Sequence, residues 1–374
     1  MSSEDSADDR DLLDAIKNND DLRVGRLIFS GVNIHKQWFT LHYETPLHAA
    51  CNVGITSSIA GRLIDSNVSV DIRNSSNMTP LHAAARNENA DVVRLLIEQE
   101  ADINAVDDEG HTPLMWAIGW QTGDDCEVVR ELIDANADVN LCDKSGNTPL
   151  HEAVDSNQLD VVVMLLETGI IIDALDEKGR TPLHRLIRSR TPNPLNENPW
   201  AIRAIRVQIL RELLKFGANA NQCNKDTSYT IPTPEVYDRY KTIGSSREFE
   251  YWLFWVQCID DLSTPLHEAA RHNNPWVISA LLDYGANVTA LENNELTPLA
   301  LAISCESHSV IHRLNKEISR LEKERITQER KLMVMLGNSR LEDRANNSLL
   351  HLLDSEVMCL IVKSGVDYYE PDDG

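Results

Sequence analysis

Apolar residues along the chain gather into pairs of short runs, and each pair reads as two helices. The first run has the form Leu-His-x-Ala-Ala, as in Leu81-His-Ala-Ala-Ala and Leu266-His-Glu-Ala-Ala, whose small alanines permit close approach. The second is more strongly apolar, as in Asp91-Val-Val-Arg-Leu-Leu-Ile and Asp160-Val-Val-Val-Met-Leu-Leu. It ends at a small residue or glycine, as in Gly217-Ala-Asn and Gly285-Ala-Asn, which suits a left-handed C-terminal cap. A threonine and a proline open most of the first runs. Threonine is a good N-cap, and proline fits the first helical turn, where its missing N–H costs nothing. An Asp-rich turn leads to the next threonine. One such helix pair cannot bury its apolar faces alone, so neighbours must stack.

The phrase Thr-Pro-Leu-His marks the period. It occurs at Thr45, Thr79, Thr148, Thr181 and Thr264, with weaker copies at Thr112, Thr297 and Ser348. Successive starts lie 34, 33, 36, 33, 83, 33 and 51 residues apart. A period near 33 is that of a stacked-repeat array. These residues resemble the ankyrin-repeat family over nearly the whole chain. The units opening at Thr112, Thr148 and Thr181 also carry that family's Asp-x-x-Gly turn: Asp107 with Gly110, Asp143 with Gly146, Asp176 with Gly179. In four other turns Tyr43, Asn77, Leu262 and Glu295 replace the glycine, and irregular hairpins are expected there. The resemblance implies an all-α solenoid of about nine helix-pair repeats, with finger-like hairpins and two or three insertions.

Residues 1–42 read as an N-terminal capping repeat and 43–224 as repeats two to six, interrupted by a proline-rich loop at about 190–201. Residues 225–261 form an aromatic-rich insertion, read as two short helices at about 234–242 and 246–259. Residues 262–347 hold repeats seven and eight with a helical insertion at about 306–325, and 348–374 a truncated cap with an acidic tail. In the aromatic insertion Phe249, Tyr251, Trp252, Phe254 and Trp255 put ring surface on most sides of one helix. Leaving five rings in water forgoes on the order of 7 to 15 kcal/mol, so the patch either packs on the repeats or docks a partner. In the later insertion Ile311, Leu314, Ile318 and Leu321 make a 3-4-3 seam too short to specify a coiled coil. A solvated helix lying on its own array is expected instead.

Composition narrows the function. The 59 acidic against 35 basic residues give a formal charge of −24, which disfavours nucleic acid or anionic membrane as a partner. A basic peptide is favoured, or the charge serves solubility alone. The N-terminus, MSSEDSADDRD, is acidic and unlike a signal or transit peptide, and no apolar run approaches a membrane span. Seven scattered cysteines without a CxxC pair suggest reduced thiols in the cytoplasm or nucleus, not a zinc site or disulfide framework. Six of the twelve histidines (His48, His82, His151, His184, His267, His351) occupy the Thr-Pro-Leu-His slot, where the resemblance implies a structural hydrogen-bonding role. His308 and His312 share the spacing of HExxH but lack its glutamate. No P-loop, GxSxG or GxGxxG is present, and no nucleophile–base set stands out, so neither an enzyme nor a cofactor is expected.

The resemblance implies binding of another protein through hairpin tips and the concave ends of first helices. A monomer is expected, as solenoids usually are. Tip candidates are Asp108, Glu109, His111, Lys144, Ser145, Lys178 and Arg180. Concave candidates are Arg86, Asn87, Trp120, Asp155, Ser156, Arg188 and Arg271, with Trp116 four residues before Trp120 on one helix face. Arg185 and Arg188 begin a basic island over 185–215 beside Glu152 and Asp155, which either orients a polar partner or pairs with the chain's own carboxylates. Asn104 and Asn140 stand eight residues after Leu96 and Leu132, similar to the pattern asparaginyl hydroxylases modify in this family, or are plain hairpin asparagines. The expected function is a non-catalytic interaction scaffold. The alternatives are a substrate adaptor of a ubiquitin ligase and an inhibitor masking a transcription or signalling factor.

Overall fold

The computed structural model describes residues 6–37, 44–52, 55–119, 126–188, 199–224, 263–292 and 295–335. Trp120, the aromatic patch Phe249 to Trp255, the turns at Tyr43 and Leu262, and the truncated repeat from Ser348 lie outside the described residues. The chain divides into two compact units, Met1–Leu262 and Ser263–Gly374.

Every extended regular element among the described residues is a helix. In the first unit the pairs are α1 (Ala7–Lys17) with α2 (Asp21–Phe29), α3 (Pro46–Ala50) with α4 (Ser57–Asp65), and α5 (Pro80–Arg86) with α6 (Ala90–Glu98). They continue as α7 (Pro113–Gly119) with α8 (Glu127–Asp134), α9 (Pro149–Asp155) with α10 (Leu159–Glu167), and α11 (Pro182–Arg188) with α12 (Pro199–Lys215). The second unit holds α13 (Pro265–Arg271), α14 (Ile278–Asp283), α15 (Pro298–Ser304) and α16 (His308–Met335). First helices pack on first helices, α1 on α3 and so on through α11, while α2, α4, α6 and α8 form a second row behind them.

The register of burial follows the repeat. Leu47, Leu81, Leu114, Leu150, Leu183 and Leu266, each directly after the opening proline, are all buried. So are the matching triplets of the second helices, Val92-Val93-Leu96, Val128-Val129-Leu132, Val161-Val162-Leu165 and Ile209-Leu210-Leu213. Each such side chain is worth about 1.5 to 3 kcal/mol when removed from water. That gain is available only where a neighbouring pair covers the face.

The histidine of the repeat phrase joins consecutive units. Its Nε2 faces a backbone carbonyl of the next finger: His48 to Met78 at 2.9 Å, His82 to His111 at 3.0 Å, His151 to Arg180 at 3.1 Å, and His267 to Leu296 at 3.0 Å. A carbonyl only accepts, so Nε2 carries the proton. Nδ1 is then an acceptor, and in His82, His151, His184 and His267 it takes the backbone N–H of Thr79, Thr148, Thr181 and Thr264 in turn. Burial, against the help of the carbonyl bond, lowers the pKa of His48, His82 and His151 to about 4.

Two expectations are corrected. The turn lacking glycine at Asn77 is not irregular, and Glu295 shares its backbone conformation and closing bond. Both residues adopt left-handed backbone, φ 60° and 58°, and close the same turn, Asn77 N–H to Asn74 O at 3.1 Å and Glu295 N–H to Glu292 O at 2.9 Å. The proline-rich loop expected at about 190–201 lies mostly outside the described residues, and α12 begins at Pro199, which suits the first turn of a helix. The seam in the last helix is also displaced. Val310, Leu314 and Glu317 are buried, while Ile311, Ile318 and Leu321 are only half-buried. Glu317 lies inward because Ser279 on α14 donates to it at 3.2 Å and Arg320 pairs with it at 2.7 Å.

Candidate protein-binding surface

Each of three successive fingers of the first unit is built on one buried aspartate. Asp107 Oδ1 accepts the backbone N–H of Glu109 and His111 at 2.9 and 2.8 Å. Asp143 does the same for Ser145 and Asn147 at 2.8 and 2.7 Å, and Asp176 for Lys178 and Arg180 at 2.9 and 2.8 Å. This is the ordinary Asx-turn, with a left-handed glycine completing it. The fingers are then tied to one another through main chain. Asp108 N–H donates to Ser76 O at 3.1 Å, Lys144 to Glu109 O at 3.0 Å, and Glu177 to Ser145 O at 2.8 Å.

That tie explains the glycines. At Gly146, φ +75°, a Cβ would stand 2.9 Å from Glu177 N and 3.0 Å from Asp176 C. At Gly110 it would stand 3.0 Å from Lys144 N. All of those atoms are backbone, so neither finger can yield without moving its neighbour.

The second carboxylate oxygen of each aspartate meets a different side chain. Asp107 Oδ2 accepts from Trp116 Nε1 at 2.9 Å, and His111 Nδ1 lies 3.6 Å away. Asp176 Oδ2 pairs with Arg180 at 2.7 Å and Arg185 at 3.2 Å, and Arg185 also reaches Asp155 at 2.6 Å. Burial alone would raise the pKa of Asp176, but the hydrogen bonds and charge of Arg180, with the charge of Arg185, bring it below the usual carboxylate value. Asp143 Oδ2 accepts from Asn147 Nδ2 at 2.8 Å, with His111 Nε2 at 3.6 Å.

The candidate residues therefore fall into two groups. Asp108, Glu109 and Lys144 are exposed at the tips, with Ser145 and Lys178 half-exposed beside them. His111, Trp116, Arg180 and Arg185 stand lower, with their polar atoms turned to the finger aspartates. Arg86 stacks 5.8 Å from the Trp116 ring, and the His111 ring meets that indole edge-on at the same distance. Arg188 is half-buried at the end of α11. Within the basic island, Arg185 pairs with the chain's own carboxylates as above, and Lys215 pairs with Glu212 at 3.0 Å. Arg206 is buried and donates to Leu186 O at 2.5 Å. In the second unit Arg271, a concave candidate, is held by Glu268 at 3.0 Å and Glu292 at 2.8 Å. Asn104 and Asn140 are exposed, and their side-chain oxygens accept the N–H of Asp138 and Ile171, each at 2.8 Å.

Among the described residues no group of His, Cys, Asp and Glu is arranged to hold a metal ion, and no helix is long and apolar enough to cross a membrane. Asp107, Asp143 and Asp176 are legible in the sequence as turn formers but not as anchors. The signal for anchoring lies in the residue four positions on, which in each case leans back on the aspartate.

The sequence model for three-copy ankyrin repeats matches residues 12–107, 47–140 and 120–222, and the single-repeat model matches 261–290. The chain belongs to the ankyrin-repeat family. Ankyrin repeats generally mediate protein–protein interaction and are typically non-catalytic modules. Among curated proteins, this ankyrin chain is 35% identical to alpha-latrocrustotoxin-Lt1a of Latrodectus tredecimguttatus over 88 residues, 24% of this chain and 6% of the toxin. It is 24% identical to transient receptor potential cation channel subfamily A member 1 of Drosophila melanogaster over 282 residues, 73% of this chain and 22% of the channel. The chain thus spans less than a quarter of the length of either relative. Among solved structures it is similar to the ankyrin repeat domain of Bcl-3, described as a unique member of the IkappaB protein family. That likeness has a TM-score of 0.53 and 26% identity, and covers 73% of this chain and 98% of that one. The ankyrin repeat domain of human ASB11 shares the fold, with a TM-score of 0.50 and 24% identity over 72% of this chain and 98% of that one.

Proposed function

We propose that this ankyrin array is a non-catalytic scaffold that grips another polypeptide with the finger tips and adjoining helix ends between residues 106 and 188. One observation carries the reading. The side chains of Asp108, Glu109 and Lys144 are exposed, while the backbone beneath them is fixed by the buried aspartates and the finger-to-finger bonds. Such tips can change without disturbing the fold, and a fixed backbone lowers the ordering cost of binding. An intracellular monomer meeting a protein partner fits this reading. Affinity capture with the triple variant Asp108→Lys, Glu109→Lys, Lys144→Glu tests it. The partners retained by the unaltered chain should be lost while the unfolding midpoint is unchanged. Retention of the same partners would contradict the proposal.

A second reading, masking of a signalling factor, draws on the likeness to the Bcl-3 domain. It predicts that a captured partner loses its other interactions when bound. An adaptor role predicts instead that deleting residues 225–261 removes a ligase subunit from the captured set.

A further inference from the structure

One register position of the first helices breaks the rule that its neighbours follow. The residue after the repeat histidine, or after Met115 in its place, is Trp116 in α7, Glu152 in α9 and Arg185 in α11. Trp116 and Arg185 each donate to the aspartate of their own finger, at 2.9 and 3.2 Å. Glu152 cannot do so, because its carboxylate has no proton to give and meets Asp143 as a like charge. That carboxylate is half-buried and makes no hydrogen bond or ion pair among the described residues. Burial raises its pKa, Asp155 and Asp143 add to that, and Arg185 opposes it.

The second unit shows such a glutamate taking an arginine, with His272 Nε2 3.1 Å from its other oxygen. Glu268 holds the same register position in α13 and is 1% exposed. Three residues on, Arg271 gives one nitrogen to Glu268 at 3.0 Å and another to Glu292 at 2.8 Å. In α9 the residue three positions on is Asp155, so no such cation exists within the helix. A second unfilled group stands at the same finger. Asn147, 9% exposed, gives its Nδ2 to Asp143 and leaves Oδ1 without a donor.

We infer that Glu152, Asp143 and Asn147 form a receptor site for an arginine side chain from a basic segment of the partner protein. This deepens the scaffold reading and rests on it. A guanidinium presents five N–H donors in a planar fork, enough to bridge two carboxylates and an amide oxygen, whereas an ammonium is a compact point charge. Bound there, it does for the finger of Asp143 what Arg185 does for the finger of Asp176. The net charge of −24 draws a basic segment toward the chain, and Glu152 gives it a place to dock.

The test uses the full chain and a fluorescein-labelled peptide carrying three arginines spaced by glycine, at about 150 mM salt to screen diffuse attraction. Matched peptides carry citrulline or lysine instead. Anisotropy should report saturable binding of the arginine peptide, at least about tenfold weaker binding of the lysine peptide, and none of the citrulline peptide. Glu152→Gln should weaken arginine binding by at least about tenfold. Glu152→Arg should abolish it and raise the urea midpoint, since the new side chain fills the site from within. The control Glu167→Gln, on the far helix of the same repeat, should bind like the unaltered chain. Equal binding by Glu152→Gln, equal binding of the citrulline peptide, or no binding by the unaltered chain at millimolar peptide would each overturn the inference. If partner capture depends on the tip charges but not on Glu152, the scaffold stands and this site does not.

Discussion

Replacing Gly146 with alanine asks how strongly the fingers are coupled. Two effects operate at that residue. Its φ of +75° lies in the left-handed region, which costs an L residue about 1 to 2 kcal/mol. Its added Cβ would also meet Glu177 N at 2.9 Å, Asp176 C at 3.0 Å and Asp176 Cα at 3.1 Å, so the next finger must move. Moving it strains the 2.8 Å bond from Glu177 N–H to Ser145 O, worth about 1 kcal/mol, and overpacking typically adds about 1 kcal/mol or more. The expected total is about 3 to 4 kcal/mol. Gly169 separates the two effects, because it has φ +80° but nothing within 4 Å of where an added Cβ would stand. Gly169→Ala should therefore cost only the conformational part, about 1 to 2 kcal/mol. Urea unfolding followed by far-UV circular dichroism compares the two variants in the transition of the first unit. Equal losses would refute the claim that neighbouring fingers are locked backbone to backbone.

Acid should weaken the fold through the repeat histidines. His48, His82 and His151 have folded pKa values of about 4 against 6.5 in the unfolded chain, so between those values the unfolded chain binds the extra protons. Stability is full above about pH 6.5 and falls as pH drops toward 4, by up to about 3 kcal/mol per histidine, and urea midpoints measured from pH 7 to 5 should fall accordingly. His151→Ala should cost about 2 to 4 kcal/mol, because it empties a buried site and leaves Arg180 O and the Thr148 N–H without their partner; a thermal scan reads the loss. Glu100→Gly should stabilise the chain by about 0.5 to 1 kcal/mol, since Glu100 is exposed with φ 60° at the end of α6 and glycine relieves that strain. Asn104→Ala should cost about 1 kcal/mol by unpairing the Asp138 N–H from its side-chain oxygen, again read as a shift in urea midpoint.

Helix pairs, their starts and their buried faces are legible in the sequence because they depend on local spacing. Thr-Pro-Leu opens nearly every first helix where it is expected, and Leu81 or Leu150 is buried for the reason its position suggests. The turns at Asn77 and Glu295 defeat a reading that looks for glycine. What they require is a left-handed backbone, which asparagine adopts at modest cost and glutamate at a higher one. The first helix starts at Ala7 because Ser6 and Asp9 cap each other, with a side chain one carbon shorter than in the usual Ser-x-x-Glu signature. The candidate surface is legible only in outline. Which tips are exposed follows from the repeat, but the pairing of Arg185 with Asp155 and Asp176 joins residues 30 and 9 apart and depends on how neighbouring repeats stack. Glu152 as the exception emerges when Trp116, Glu152 and Arg185 are set in one register, a comparison the linear sequence permits but does not suggest.

Hydrogen–deuterium exchange on the full chain with and without its captured partner is the most direct measurement of the binding account. Protection should concentrate in residues 107–111, 143–147 and 176–180, with the second helices at 90–98, 127–134 and 159–167 exchanging as in the free chain. Protection confined to those second helices, with the fingers unchanged, would contradict it.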